Sequence, residues 1–435
     1  MSENGPNSES TSVEESSTGD TEASKKQKQD WAENPSGLFE RDDRIWENKG
    51  LLKVGYVPDI ERIVGRTEEI ENVAGQLTDL VHGDVSDHTL ITGKPGTGKS
   101  LVARYVVDLA KDVASDFEIA SEYVNCSVDN TETQAVSTIA RSFNNPEETG
   151  IDIPETGLST SRYYKLLWEI VDEQYDSVIV ILDEVDKLGD DDILMKLSRA
   201  RETGRIDCRF GMIVISNKFR YQESLDERTR STFQYEQLYF DPYDASDLND
   251  ILERRRDAFK DGVLDDGAIA LASALSAREH GDARKAVRML ANAGDIAEDQ
   301  LGADDEAKIK EEHVRAAQER AQKERLRDEI ANQPMQLKLA LLALAFLSME
   351  KSASRFRTTE VHDRYSEICE SEGIEQQVVR SFRNQLKDLA VFGIVESVHR
   401  SEGRNGHSLF HQLLEDPQVA IEVVYEDERL GVFEN

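Results

Sequence analysis

The octapeptide GKPGTGKS, Gly93 to Ser100, follows the short apolar run HTLIT and opens the amphipathic stretch LVARYVVDLA. Gly93, Gly98, Lys99 and Ser100 fit the spacing G-x-x-x-x-G-K-[ST]. In such a loop the glycines let backbone N–H groups converge on a phosphate, and the start of the following helix adds positive potential. Lys99 can then reach the β- and γ-phosphates of ATP or ADP, while the Ser100 hydroxyl can bind Mg²⁺. Pro95, Gly96, Thr97 and Leu101 complete the expected nucleotide cradle.

Such a loop needs an acidic partner at the end of a neighbouring strand. SVIVILDEVDKL supplies one, because Val178 to Leu182 reads as a buried parallel strand. Asp183 at its end can hold the Mg²⁺ shell, and Glu184 can polarise an attacking water. A further strand, FGMIVISN, ends in Asn217, a polar group placed to orient that water. Ser100 and Asp183 are therefore the expected metal residues, with Glu184 and Asn217 on the catalytic side.

At 435 residues the chain is long enough for two or three domains. It carries 52 Lys+Arg against 87 Asp+Glu, a formal charge of -35. That acidity runs through the folded part and is similar to the surfaces of proteins from salt-accumulating halophiles. At about 1 M salt the Debye length is only ~3 Å, so local geometry, not net charge, decides partners. The first thirty residues lack apolar periodicity and are expected to be disordered. No secretory signal is expected, and the longest apolar run, LKLALLALAFL, is too short to span a bilayer. Cys126, Cys208 and Cys369 are too scattered for a disulfide framework. A cytoplasmic, nucleoid-associated protein without membrane contact is the expectation.

The order phosphate loop, D-E strand and polar-tipped strand resembles that of AAA+ ATPases. HGDARKAVRML adds to the likeness: Arg284 occupies the place of the lid-domain arginine that meets the γ-phosphate, with Lys285 and Arg288 as further basic candidates. Together with YVPDIERIVGRTEEIENV, LDERTRSTF and FDPYDASDLNDILERR, these motifs resemble the archaeal replication initiators related to the eukaryotic origin-recognition complex and its cell-division-cycle partner. The resemblance runs from about Leu38 to Leu430. It implies that Ile63, Val64 and Gly65 lie along the adenine, and that Tyr243 and Arg255 contact the nucleotide between base and lid. It implies a helical insertion in which Arg162 and Lys165 contact DNA, although both could equally sit on a solvated helix. Clamp-loader relatives place an arginine that completes a neighbour's site directly after a serine; Thr232 stands there, and Arg228 or Arg230 would have to serve instead.

One stretch reverses the charge balance. RSFRNQLKDLAVFGIVESVHRSEGRNGH holds Arg380, Arg383, Lys387, Arg400 and Arg404 against three acidic residues, Asp388, Glu396 and Glu402. Val378, Phe382, Leu386 and Leu389 share one face of a predicted helix, and Thr358 or Thr359 caps the helix before it. Two short strands follow around the turn SEGRNGH. Three helices and a ribbon make the winged-helix arrangement that the family implies, whose third helix enters the major groove. Arg404 between glycines can approach phosphate or a minor groove closely.

The expected fold is therefore an α/β P-loop AAA+ domain with a helical lid, followed by an α+β winged-helix DNA-binding domain. The expected divisions are a tail (1–37), the base (38–245), lid and connector (246–331) and winged helix (332–435). The function implied is an origin-binding replication initiator, a slow ATPase used as a switch, on double-stranded origin DNA. The replicative helicase, and other copies of the chain on DNA, are its implied partners. An ATP-dependent transcription regulator or plasmid-maintenance protein would carry the same parts.

Overall fold

The computed structural model describes residues 44–430 except 54, 115–117, 303–304, 352, 402–406 and 428, with the backbone alone for 400, 401 and 407. The expected tail, Arg404 and the side chain of Arg400 lie outside what is described.

Five parallel strands form the central sheet: β1 (His88–Gly93), β2 (Ile119–Asn125), β3 (Ser177–Asp183), β4 (Arg209–Ser216) and β5 (Tyr235–Phe240). Their order is β2-β3-β4-β1-β5. Of the three central strands β3 and β4 are rich in Val and Ile, and all three are buried almost throughout, as a sheet covered on both faces requires. The edges β2 and β5 keep polar residues such as Glu122 and Glu236, which discourage further pairing. Residue alternation sorts the strands between two cores. Ile179 and Ile181 pack under α1 (Thr67–Val81) and α2 (Lys99–Val113); Val178, Val180 and Leu182 pack under α3 (Glu132–Ser142) and α4 (Thr160–Gln174).

The strand bearing Asp183 is not adjacent to the strand bearing the phosphate loop. β4 lies between them, pairing Thr92 with Ser216 on one side and Leu182 with Val214 on the other. The polar tip of β4 is therefore inserted between Lys99 and the D-E pair, a placement that sequence order alone does not specify.

A helical unit follows: α5 (Ala245–Glu253), α6 (Asp266–Arg278), α7 (Ala283–Gln300) and the first half of α8 (Glu311–Ile330). Its core also takes in Ile45, Trp46, Leu51 and Leu52 from the start of the described chain. Trp46 fits against Gly294 of α7, where a Cβ would stand 2.3 Å from the indole, and its Nε1 donates to Glu298 at 3.0 Å. Helix α8 belongs to two cores: Val314 and Ala317 pack in the lid, Leu326 and Ile330 in the C-terminal domain.

That last domain contains α9 (Met335–Glu350), β6 (Phe356–Arg357), α10 (Thr358–Ser371), α11 (Val379–Val391), β7 (Val395–Ser401), β8 (His407–Leu413) and α12 (Pro417–Tyr425). Its sheet has three antiparallel strands, β6-β8-β7, one more than the predicted ribbon. Two local expectations are corrected. Thr358 is the first helical residue, not the cap, because its hydroxyl is engaged with buried His411 Nε2 at 2.9 Å. Val378 precedes α11 and is 70% exposed, whereas Phe382, Leu386 and Leu389 are fully buried. The whole is the expected architecture, an α/β P-loop AAA+ domain with a helical lid and a winged-helix domain.

Candidate nucleotide site and nucleic-acid interface

The loop 93–100 turns from β1 into α2 through two left-handed glycines, Gly96 (φ 75°) and Gly98 (φ 87°). Neither tolerates a side chain: a Cβ on Gly96 would fall 1.8 Å from Asp282 Oδ1, and one on Gly98 2.7 Å from the Tyr243 hydroxyl. Lys99 is buried and donates to the carbonyls of Gly93 (2.8 Å) and Lys94 (2.6 Å) and to Asn217 Oδ1 (3.0 Å). Burial lowers its amine from the ordinary lysine value to about 8, although Asp183 draws it back up.

Asp183, at the end of β3, is held by three donors. The Ser100 hydroxyl and the Tyr123 hydroxyl (2.7 Å) both reach Oδ2, and the Glu184 N–H reaches Oδ1 at 2.8 Å. Glu184 itself adopts φ 56°, ψ 39°, a conformation rare outside glycine that costs on the order of 1–3 kcal/mol and recurs at functional sites. It turns the carboxylate toward the tip of β4, where Asn217 Nδ2 donates to Glu184 Oε1 at 3.3 Å. Asp186 fixes that tip by accepting from the Ser216 hydroxyl (3.1 Å) and the Asn217 N–H (3.0 Å).

The lid closes one side. Asp282 caps α7 by accepting from the N–H of Arg284 at 2.9 Å, and the Ala283 N–H donates to the Gly96 carbonyl at 3.1 Å. The first turn of α7 is thereby hydrogen-bonded to the phosphate loop. Arg284 is half exposed and lines the cleft; Lys285, paired with Glu279, and Arg288 do not. Arg255 lines it too, buried, with Nε lacking a hydrogen-bond partner.

Sequence reasoning passed over one residue at this junction. Arg66 is buried and donates to the carbonyls of Thr97 (2.9 Å) and Asp241 (2.6 Å), pairs with Glu69 at 2.6 Å and lies 3.8 Å over the Tyr243 ring. It ties the segment after Gly65 to the phosphate loop and to the exit of β5. Its position in IVGR was the available signal, but two of its partners, Asp241 and Tyr243, are more than a hundred residues away.

These groups surround a cleft of about 320 Å³, within the range of small-ligand sites. Its walls include Ile63, Val64, Gly96 to Leu101, Arg104, Tyr123, Asp183, Glu184, Asn217, Tyr243, Arg255 and Arg284. Gly65 and Pro95 are not among the lining residues; Gly65 turns at φ 66° against Asp247. The residues fit a nucleotide: a glycine cradle with no room for a Cβ, a buried lysine, a buried guanidinium (Arg255) whose Nε has no partner while its Nη1 donates to the Ile251 carbonyl at 3.0 Å, and an apolar wall from Ile63 and Val64. They also fit a divalent cation, because the Ser100 proton is already directed to Asp183 and a lone pair of its oxygen remains free. Among the described residues no separate cluster of His, Cys, Asp and Glu could hold a metal, and no helix is long and apolar enough to cross a membrane.

On α11, Arg380, Arg383 and Lys387 are all exposed, and their spacing puts them on one face beside the buried row. Arg162 and Lys165 are exposed on α4, far along the chain from that face. Arg228 and Arg230 are exposed on the short helix Glu227–Thr232, with Arg230 donating to the carbonyls of Glu223 and Leu225.

Three known domain families match in succession: an AAA domain over residues 84–225, a Cdc6 AAA+ ATPase-type lid domain over 249–319, and a CDC6 C-terminal winged helix domain over 328–423. ORC1-type DNA replication protein 4 of Halobacterium salinarum is 48% identical over 90% of this chain and 95% of its own length. A Thermococcus onnurineus ORC1-type DNA replication protein is 34% identical over 84% and 87% respectively. Among solved structures, the Aeropyrum pernix ORC1 protein in complex with DNA superposes with a TM-score of 0.63 at 31% identity, covering 89% of this chain and 98% of that one. With its acidic surface, P-loop base, Cdc6-type lid and winged helix, the chain belongs to the ORC1/Cdc6 family of DNA replication proteins, in the company of haloarchaeal relatives.

Proposed function

We propose that the chain is an ATP-dependent, origin-binding replication initiator that helps recruit the replicative helicase. The observation that carries this reading is the pairing, in one chain, of a nucleotide cleft closed by a Cdc6-type lid with a winged helix whose third helix bears a row of exposed cations. The DNA in the Aeropyrum pernix ORC1 structure supports double-stranded DNA as ligand, and the names of the relatives support replication as the process. The divisions at residues 38, 246 and 332 belong to the same proposal, as does a cytoplasmic, nucleoid-associated location.

In the proposed mechanism ATP passes to ADP and phosphate by in-line attack of water. Bound Mg²⁺ supplies charge neutralisation at the phosphates. The chain's own residues do the rest. Lys99 turns from the loop carbonyls to the phosphates, and Arg284 adds a second cation from the lid. Glu184 takes the proton of the water, and Asn217, already bonded to Glu184, fixes where that water stands. Ile63, Val64, Tyr243 and Arg255 enclose the rest of the nucleotide. Slow turnover fits a site used as a switch: the Gly96–Ala283 hydrogen bond links the state of the loop to the lid. On DNA, Arg380, Arg383 and Lys387 enter the major groove, with Arg162 and Lys165 as a second contact. Arg228 or Arg230 would serve if copies of the chain complete each other's sites.

Genome-wide crosslinking of the protein to DNA tests the reading. Enrichment at replication origins is expected, and enrichment confined to promoters or partition sites would overturn it in favour of a regulator.

A further inference from the structure

Asp183 receives more support than the pairing with Ser100. Its Oδ2 also accepts the Tyr123 hydroxyl at 2.7 Å, and Tyr123 comes from the end of β2, a strand that contributes no residue to the phosphate loop. The Tyr123 ring is in turn covered by Arg104, whose guanidinium carbon lies 3.4 Å from the ring centroid. Arg104 stands one helical turn after Ser100 on α2 and shares its face. Helix α2 therefore reaches Asp183 twice, directly through Ser100 and indirectly through Arg104 and Tyr123. Arg104 Nε is buried without a hydrogen-bond partner, and the guanidinium stacks on the ring.

A carboxylate offers about four acceptor positions. Two hydroxyls occupy Oδ2 and the Glu184 N–H takes one position on Oδ1, which leaves one on Oδ1 to face the cleft. Without the phenol, Asp183 would keep only the Ser100 hydroxyl on Oδ2 and the Glu184 N–H on Oδ1, and its last torsion, and with it the acceptor that keeps the Ser100 lone pair turned outward, would be less restrained. Two hydroxyls on a single oxygen select one orientation of the group.

We propose that Tyr123, stacked under Arg104 in the wall of the cleft, is a positioning residue for the divalent cation of this site, acting through the hydroxyl it directs to Asp183. The inference rests on the nucleotide-Mg²⁺ reading of the cleft. Groups that orient a metal ligand from behind are worth about 10–100-fold in metal affinity. The predicted signature of Tyr123 is therefore a change in Mg²⁺ requirement with no change in nucleotide affinity when the metal is absent.

The test measures binding of a fluorescent ATP analogue to the full chain in molar potassium chloride, across a Mg²⁺ titration and in EDTA. Tyr123→Phe keeps the ring and its stack, so the fold and the thermal midpoint of the nucleotide-free protein should be preserved. The half-saturating Mg²⁺ concentration should rise about tenfold, and the EDTA affinity should match the wild type. Arg104→Ala should shift the Mg²⁺ requirement in the same direction by less, and the double variant should be no worse than Tyr123→Phe. An unchanged Mg²⁺ curve for Tyr123→Phe, or an equal loss with and without metal, overturns the proposal. Failure of the wild type to bind the analogue, or binding indifferent to Mg²⁺, overturns the reading of the cleft and this inference with it.

Discussion

Asn217 and Glu184 meet at the mouth of the cleft, amide nitrogen to carboxylate oxygen at 3.3 Å, while the oxygen of the same amide accepts from Lys99 at 3.0 Å. One side chain thus joins the cation that would hold phosphate to the carboxylate that would activate water. The amide is suited to this because it offers a donor and an acceptor at opposite atoms; a carboxylate would accept from Lys99 and repel Glu184.

Glu184→Gln should retain ATP and lose turnover by about 10²-fold or more, since it removes the base and leaves the cradle. Lys99→Ala should lose ATP binding itself. Filter retention of labelled ATP and phosphate release, measured on both variants, check this. Normal hydrolysis by Glu184→Gln would remove Glu184 from the mechanism.

Nucleotide affinity should depend on pH through Lys99. Burial brings its amine down to about 8, so below that pH it is charged and affinity is flat. Above pH 8 the free site loses the proton that attracts phosphate, and the dissociation constant should rise by up to about tenfold per pH unit. An unperturbed lysine would hold its charge to about pH 10.4. A titration of the fluorescent ATP analogue between pH 7 and 9.5 gives the inflection, and Lys99→Arg should abolish it.

Arg66→Ala should destabilise the fold by about 3 kcal/mol, because it leaves partly buried Glu69 and two carbonyls without their donor. Arg66→Lys should restore little, since one ammonium cannot serve three separated acceptors and stack on Tyr243. Chemical denaturation of both variants measures the difference. A loss within 0.5 kcal/mol, about what an ordinary surface change produces, would show that the junction does not depend on Arg66.

At molar salt, phosphate contacts contribute little, and selectivity must come from base edges and DNA shape. Arg383→Ala should therefore lower the preference for the true site over a scrambled duplex by about tenfold. Equal losses on the two duplexes would assign Arg383 to the backbone instead.

The phosphate loop, the D-E strand and the helix rows of the winged domain could be read from the sequence because each rests on local spacing. Gly98 and Ser100 declare themselves within one turn of Lys99, and Phe382, Leu386 and Leu389 repeat at helical period. What escaped was set by contacts distant in sequence. Arg66 meets Tyr243, Tyr123 meets Asp183, and Trp46 settles against Gly294 only after the chain has folded back. The insertion of β4 between the two nucleotide strands was hidden for the same reason, as sheet order is not written in strand order. Val378 suits the helical period of the buried row, but it precedes the helix and is exposed.

Helix α8 carries a consequence for the mechanics of the molecule. Its first half is embedded in the lid with Val314 and Ala317, its second half in the C-terminal domain with Leu326 and Ile330. Lys323 and Arg327 pin it further to Glu422 on α12 and to Glu426 at its C-terminal cap. There is thus no slack tether between the part that closes on the phosphate loop and the part that carries the cation row. At 1.5 Å per residue its 20 residues make a rod of about 30 Å, and a tilt of ~5° at one end sweeps the other by roughly 2–3 Å. That displacement is comparable to the length of a hydrogen bond, so on the proposed reading a small rocking of α7 over Gly96 would be geared up to a change of register for Arg383 against a bound duplex.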